Sequence, residues 1–137
     1  MPDGGEAPGP GLWARFLRGL LRRRFRIADR SMAPTVLPDD RVYVDTRAFR
    51  DRSPVRGELV VARETAPPQR YFVKRVAFLA GDTPTPGGPV VPAGSVYLLG
   101  DNLDASRDSR TFGPVPVRSL VGRVYRCYFP AERRREF

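Results

Sequence analysis

From Phe25 onward the apolar positions fall into short runs rich in Val, Tyr and Phe, broken by stretches rich in Pro and Gly. The runs "RVYVD" (41–45), "ELVVA" (58–62), "RYFVKRVAFL" (70–79), "SVYLL" (95–99) and "LVGRVYRCYF" (120–129) have the β-branched and aromatic content of strands. Between them "LPDD", "ETAPPQ", "GDTPTPGGPVVPAG" and "FGPVP" read as loops. No helix-length pattern separates the runs and no internal repeat is visible. The reading is an all-β domain over 25–130.

The period changes upstream. Residues 1–10, "MPDGGEAPGP", have no periodicity and predict a disordered leader. Over 11–24, Leu12, Phe16 and Leu20 recur every four residues, as do Trp13, Leu17 and Leu21, with Arg15, Arg18 and Arg22 opposite. This spacing predicts a basic amphipathic helix. A transmembrane span needs about 18 or more nearly continuous apolar residues, and the arginines interrupt the stretch too often. Two readings stand: a helix lying on an anionic membrane surface through residues 11–27, or a helix packed on its own domain. The purely basic polar face favours the membrane. Residues 131–137, "AERRREF", read as a solvated basic tail.

The 137-residue length fits one such domain. The net charge of +9 suits nucleic acid or an anionic membrane surface and does not choose between them. The absence of histidine decides more: it removes Ser-His-Asp triads, Cys-His dyads and imidazole metal ligands. The single cysteine, Cys127, lies in an apolar strand run and reads as a buried small hydrophobe.

With 23 arginines and one lysine, the chain makes a single exception at Lys74. An isolated lysine is ordinarily a solvated surface charge. Lys74, however, shares a strand face with Phe72 and Val76, and an amine in apolar surroundings can lose its proton near neutrality, which a guanidinium cannot. Ser31, in "ADRSMAPTVLPDD", is the matching candidate nucleophile; alone, that stretch would be only a turn. A third segment, "GDNLDASRDSRTFGPV" (100–115), reads either as an Asx-turn loop with Asp-Arg pairs or as a rigid support for a Ser/Lys pair.

In this order the segments resemble the type I signal peptidases, serine endopeptidases with a Ser/Lys dyad. "SMAPT" is similar to the nucleophile box, "RGELVV" (56–61) to a strand box, "YFVKRVAFLAGD" to the lysine box, and "GDNLDASRDSRTFGPV" to the GDN…DSR box. The resemblance covers residues 31–115, with "LVGRVYRCYFP" similar to the closing strand. It implies a small domain of mainly antiparallel sheets. Ser31 would be the nucleophile and Lys74 the general base, with Ser106 orienting the amine and Asp101, Asp108, Arg110 and Arg75 in support. The Ser31 N–H would donate to the oxyanion.

Substrate would lie as an extended strand beside residues 25–29 and 69–73, touching Ile27, Asp29, Met32, Phe72 and Val73. Departures are Asp29, where many members place Ser, Thr or Gly, together with Val36 and Glu58. The N-terminal membrane anchor that most members carry, and the large inserted second β domain of some bacterial relatives, are likewise expected to be missing from this chain.

The expected activity is cleavage of signal peptides or propeptides after small residues of Ala-x-Ala type, with no cofactor and no metal, at the cell membrane. The attachment would be peripheral or through an anchor missing from this chain. Within the family the alternative is a maturation peptidase for one precursor, of the kind associated with nickel superoxide dismutase. From another class, a basic nucleic-acid-binding β domain is weighed and set aside, because the arginines cluster at the two ends and the boxes would go unexplained.

Overall fold

The structure, a computed structural model, describes residues 22–137. Eight strands form one sheet: β1 (Arg22–Arg26), β2 (Arg41–Asp45), β3 (Leu59–Arg63), β4 (Tyr71–Leu79), β5 (Ser95–Leu99), β6 (Val115–Pro116), β7 (Leu120–Phe129) and β8 (Arg135–Glu136). Their order is β1-β2-β7-β3-β4-β5-β6, with β8 beside β7, and every pairing is antiparallel. Each of the five runs read as strands is one, to within a residue at either end. The domain is all-β, with a single helical turn α1 (Ser109–Phe112) and three short 3₁₀ turns among the described residues.

The sheet curls so that both of its faces are covered. On β3, Leu59 and Val61 join Ile27, Met32, Val42, Val44 and Val124 in one core, while Val60 and Ala62 join Val76, Val96, Leu98 and Val115 in another. An unbroken apolar strand, rather than an alternating one, is what a strand buried on both sides requires. β4 divides likewise, with Val73 against the first core and Phe72 and Val76 in the second. Removal of these side chains from water, at roughly 25 cal/mol per Å², is the main term holding the curl.

The N-terminal expectation meets a limit and a correction. The leader at 1–10 and most of the 11–24 helix lie outside the described residues. Arg22–Arg24, assigned to that helix, instead belong to β1, paired with β2 from Arg22↔Asp45 to Arg26↔Arg41. Strand alternation sends Arg22 and Arg24 over the Tyr43 ring, at 4.4 and 5.9 Å, and Arg23 over Phe25 and Tyr71, at 5.1 and 5.5 Å. Tyr43 also stacks on Tyr128 at 4.1 Å. Such cation–π contacts are worth about 0.5–1 kcal/mol each at exposed sites, and with the strand pairing they outweigh a weak local helix preference.

The tail also folds back instead of standing free in solvent. Arg135 and Glu136 pair with Cys127 and Arg126, Phe137 packs on the first core, and Arg133 forms a two-pronged pair with the buried Asp40. Cys127 is buried, as expected, and burial pushes its thiol pKa up.

At Gly122 β7 passes close against the backbone of β2. A Cβ placed there would stand 2.2 Å from the Asp45 carbonyl oxygen, a backbone atom that cannot give way without breaking the pairing. Gly122→Ala is therefore expected to cost about 2–4 kcal/mol, at or beyond the upper end of ordinary overpacking. A melting temperature within a degree or two of wild type would refute this reading of the crossing.

Candidate active site

Ser31 opens a tight turn between β1 and β2. The chain before it is tied to the Asp39-Asp40 turn, where Ile27 N–H donates to Asp40 O and Asp39 N–H to Ile27 O, both at 2.8 Å. The turn itself closes through Thr35 N–H and Val36 N–H donating to Met32 O. Met32 and Val36 are anchored in the first core, so the turn cannot drift, and Ser31 is held with 4% of its surface exposed.

Lys74 sits at the centre of β4, opposite Val60 of β3, and is 3% exposed. Every ion pair among the described residues has an arginine as its cation; Lys74 makes none. Burial pushes its amine pKa down, and Arg110 adds to this, whereas the charges of Asp29 and Asp108 oppose it. The next residue, Arg75, points to the other face and forms a bidentate pair with Asp101, Nε to Oδ1 and Nη2 to Oδ2, both at 2.8 Å. Alternation along one strand thus separates a dry amine from a permanent, paired charge.

The loop after β5 joins these two elements. Asp101 accepts from Arg75 on β4 and also from the Thr35 hydroxyl in the Ser31 turn. Asn102 N–H donates to Ser31 O at 2.9 Å and its amide to Arg30 O at 3.1 Å. Gly100 lies between the partners: a Cβ there would be 2.0 Å from Ser106 Oγ and 2.6 Å from Ser31 O. Ser106 is brought to the site by this contact. Its hydroxyl donates to Asp108 Oδ2 at 2.8 Å, leaving its lone pairs able to accept from an ammonium.

Asp108 is fully buried and collects donors, from Gly100 N–H at 3.0 Å, the Ser106 hydroxyl, Arg110 N–H and the Arg110 guanidinium. Burial alone would raise its pKa. Those donors more than offset the penalty and hold it down to about 2. Ser109, at the start of α1, accepts Leu98 N–H at 2.9 Å and fixes the end of β5. The loop is thus the Asx-rich turn with an Asp-Arg pair that its sequence suggested.

A groove of about 450 Å³ runs past Ser31. All five residues expected to touch substrate line it: Ile27, Asp29, Met32, Phe72 and Val73. Its two walls are residues 25–29 and 69–73. β5 begins pairing with β4 only at Arg75↔Leu99, so the outer edge of Tyr71–Lys74 meets no strand among the described residues. An extended peptide could add main-chain hydrogen bonds along that edge.

Asp29 occupies an unforeseen position. Its Oδ1 accepts the Ser31 N–H at 3.0 Å, the donor expected to serve an oxyanion. Burial works against its ionisation, but the Ser31 N–H and hydroxyl and the nearby Lys74 charge together hold its carboxyl below the ordinary range. Thr35, Gly100 and Asn102 also had no assigned role. All three stood inside the quoted boxes; the partners of Thr35 and Asn102 are far away in sequence, 66 residues for Thr35 and Asp101, and Gly100 is pressed between Ser106 and Ser31 O.

A family model described as signal peptidase, peptidase S26, matches residues 11–85 and 83–129. Mitochondrial inner membrane protease subunit 1 of Homo sapiens is 34% identical over 108 residues, which cover 73% of this chain and 65% of that protein. Mitochondrial ATP-independent inner membrane protease subunit 1b of Arabidopsis thaliana is 38% identical over 105 residues, 69% of this chain and 62% of that protein. Signal peptidase I of Leptolyngbya laminosa is 30% identical over 139 residues, 78% of this chain and 68% of that protein. The chain therefore spans a little under two thirds of the two mitochondrial relatives.

The Asp108 cluster gives a pH signature. Its folded pKa of about 2 lies below the ordinary 3.8, so its stabilisation is complete above about pH 4 and is lost as pH falls toward 2. The loss attributable to it is about 2 kcal/mol. Denaturant titrations at pH 5 and pH 2.5 are expected to show Asp108→Asn less stable than wild type at pH 5, with the gap narrowing at pH 2.5. A gap independent of pH would refute this assignment.

Proposed function

The chain belongs to the signal peptidase family, peptidase S26, and from that premise we propose that it is a serine endopeptidase using Ser31 and Lys74 to remove signal peptides or propeptides from precursor proteins. The observation that carries the reading is the burial of the only lysine. A side chain that would ordinarily be solvated is 3% exposed, lacks an ion-pair partner among the described residues, and has its pKa lowered by that burial. A structural cation in this protein is an arginine paired to a carboxylate, as Arg75 is to Asp101 and Arg133 to Asp40.

In this reading the neutral Lys74 amine takes the Ser31 Oγ proton as Oγ attacks the scissile carbonyl. The tetrahedral intermediate collapses with cleavage of the C–N bond, and the Lys74 ammonium returns the proton to the leaving amine. Lys74 then deprotonates a water that attacks the acyl-serine ester, and the proton goes back to Ser31 Oγ as the C–O bond breaks. Ser106 steers the amine, and its own orientation is set by Asp108, itself held by Arg110 and Gly100 N–H. The open edge of Tyr71–Lys74 and the apolar wall of Ile27, Met32, Phe72 and Val73 suit an extended substrate with small side chains before the cut.

Relatives named for the mitochondrial inner membrane support a membrane setting. Among the described residues no helix is long and apolar enough to cross a membrane. The basic amphipathic stretch at 11–21 is the proposed contact with anionic lipid. A deletion must stop before Arg22, since Arg22–Arg26 is a strand of the sheet.

Three outcomes are expected. With a peptide containing Ala-x-Ala, Ser31→Ala and Lys74→Arg should each lose at least about 10³-fold in kcat. Wild-type kcat/KM should rise with pH, on a limb lying below the ordinary lysine value of 10.5, because the neutral amine is the active form. Turnover surviving Lys74→Arg would refute the mechanism. Removing residues 11–21 should abolish binding to vesicles containing anionic lipid while leaving cleavage of a soluble peptide within about threefold of wild type; undiminished vesicle binding would refute the lipid contact.

A further inference from the structure

Hydrolysis by a Ser/Lys pair needs a donor for the negative oxygen of the tetrahedral intermediate, and the donor nearest the nucleophile is the Ser31 N–H. Here that hydrogen is already given to a full negative charge, the Asp29 Oδ1 at 3.0 Å. An oxyanion and a carboxylate cannot share the one N–H without severe repulsion. Asp29 is nevertheless a solvent-exposed residue on the groove wall. Its contact with Ser31 N–H can be exchanged for water without opening a core.

Resting on the peptidase reading above, we infer that Asp29 is a latch that keeps the substrate-free site at rest, its carboxylate occupying the Ser31 N–H until an extended substrate strand displaces it. Asp29 is a positioning residue, acting through Ser31 and Lys74 rather than on the scissile bond. Its charge reinforces the latch, since it favours the protonated form of Lys74. The other charges facing Lys74 are Asp108, which acts in the same sense, and Arg110, which opposes it. Along the groove the remaining charged side chains are Arg26, paired with Asp39, and Arg70. Swinging Asp29 outward therefore frees the oxyanion donor and eases loss of the lysine proton together. The site is armed by occupancy of the groove, and water is kept from unproductive activation when the groove is empty.

The single lysine makes the test direct, because selective 13C-lysine labelling gives one side-chain signal, that of Lys74. Three forms are compared: wild type, Asp29→Asn, which keeps an acceptor for Ser31 N–H without the charge, and Asp29→Ala, which removes both. The NMR titration of Lys74 should move to lower pH in both variants, and the acid limb of kcat/KM should move with it. At a pH where Lys74 is neutral in all three, Asp29→Ala should exceed wild type in kcat/KM by about tenfold or more, through a lower KM at similar kcat, because wild type must use substrate binding free energy to displace the carboxylate, with Asp29→Asn between them. An unmoved Lys74 titration, or a kcat/KM of Asp29→Ala no higher than wild type at that pH, overturns the latch. Cleavage by none of the three, Asp29→Ala included, instead overturns the peptidase reading. Melting curves check the fold, and Asp29→Gly serves as a second acceptor-free variant if Asp29→Ala melts well below wild type.

Discussion

The site depends on one carboxylate. Asp101 is bonded at the same time to Arg75 on β4 and to Thr35 in the Ser31 turn, elements 40 positions apart in a 137-residue chain. Neither partner could fix the geometry alone. The turn is anchored from below by Met32 and Val36, and β4 by its ladders to β3 and β5, but their relative placement is set from above by the loop that carries Asp101. Burial makes that placement stiff, because a partly desolvated Arg-carboxylate pair in bidentate geometry tolerates little displacement.

The rest of the loop follows from that anchor. Once Asp101 is fixed, Gly100 must pass between Ser31 O and Ser106 with no room for a side chain, and Asn102 is in position to bond the Ser31 turn. The buried Asp108 then gathers the Gly100, Ser106 and Arg110 donors into one cluster. The result is a tightly bonded loop beside a strand whose lysine is disfavoured as a cation by burial. Preorganisation of this kind is costly to fold and useful only if something must be held in register.

Asp29 shows how the same arrangement can be restrained as well as supported. Its carboxylate takes up the Ser31 N–H from a position open to solvent, whereas the carboxylates of Asp101 and Asp108 are tied into the fold. Within one site, acids of identical chemistry thus take different roles according to burial and partner. Two of them are held inside the fold, and the third lies exposed on the wall of the groove.

The sequence by itself determined the strands and the identity of the unusual side chains. Val-, Tyr- and Phe-rich runs between Pro/Gly loops located five strands because propensity and turn chemistry act locally, and the lone Lys74 stood out because no histidine competes with it. Tertiary structure decided what depends on distant partners. Arg22–Arg24 have a helical pattern, yet they form a strand because Tyr43 and Tyr71 lie where those guanidiniums can stack and β2 supplies the backbone bonds. The C-terminal residues are charged enough to read as a free tail, but buried Asp40 and the edge of β7 hold them. Asp29 looked like an acid in a substrate wall, and only the folded turn brings its carboxylate onto the Ser31 N–H. Local chemistry can be read residue by residue, but a hydrogen bond exists only when the packed chain brings donor and acceptor within about 3 Å.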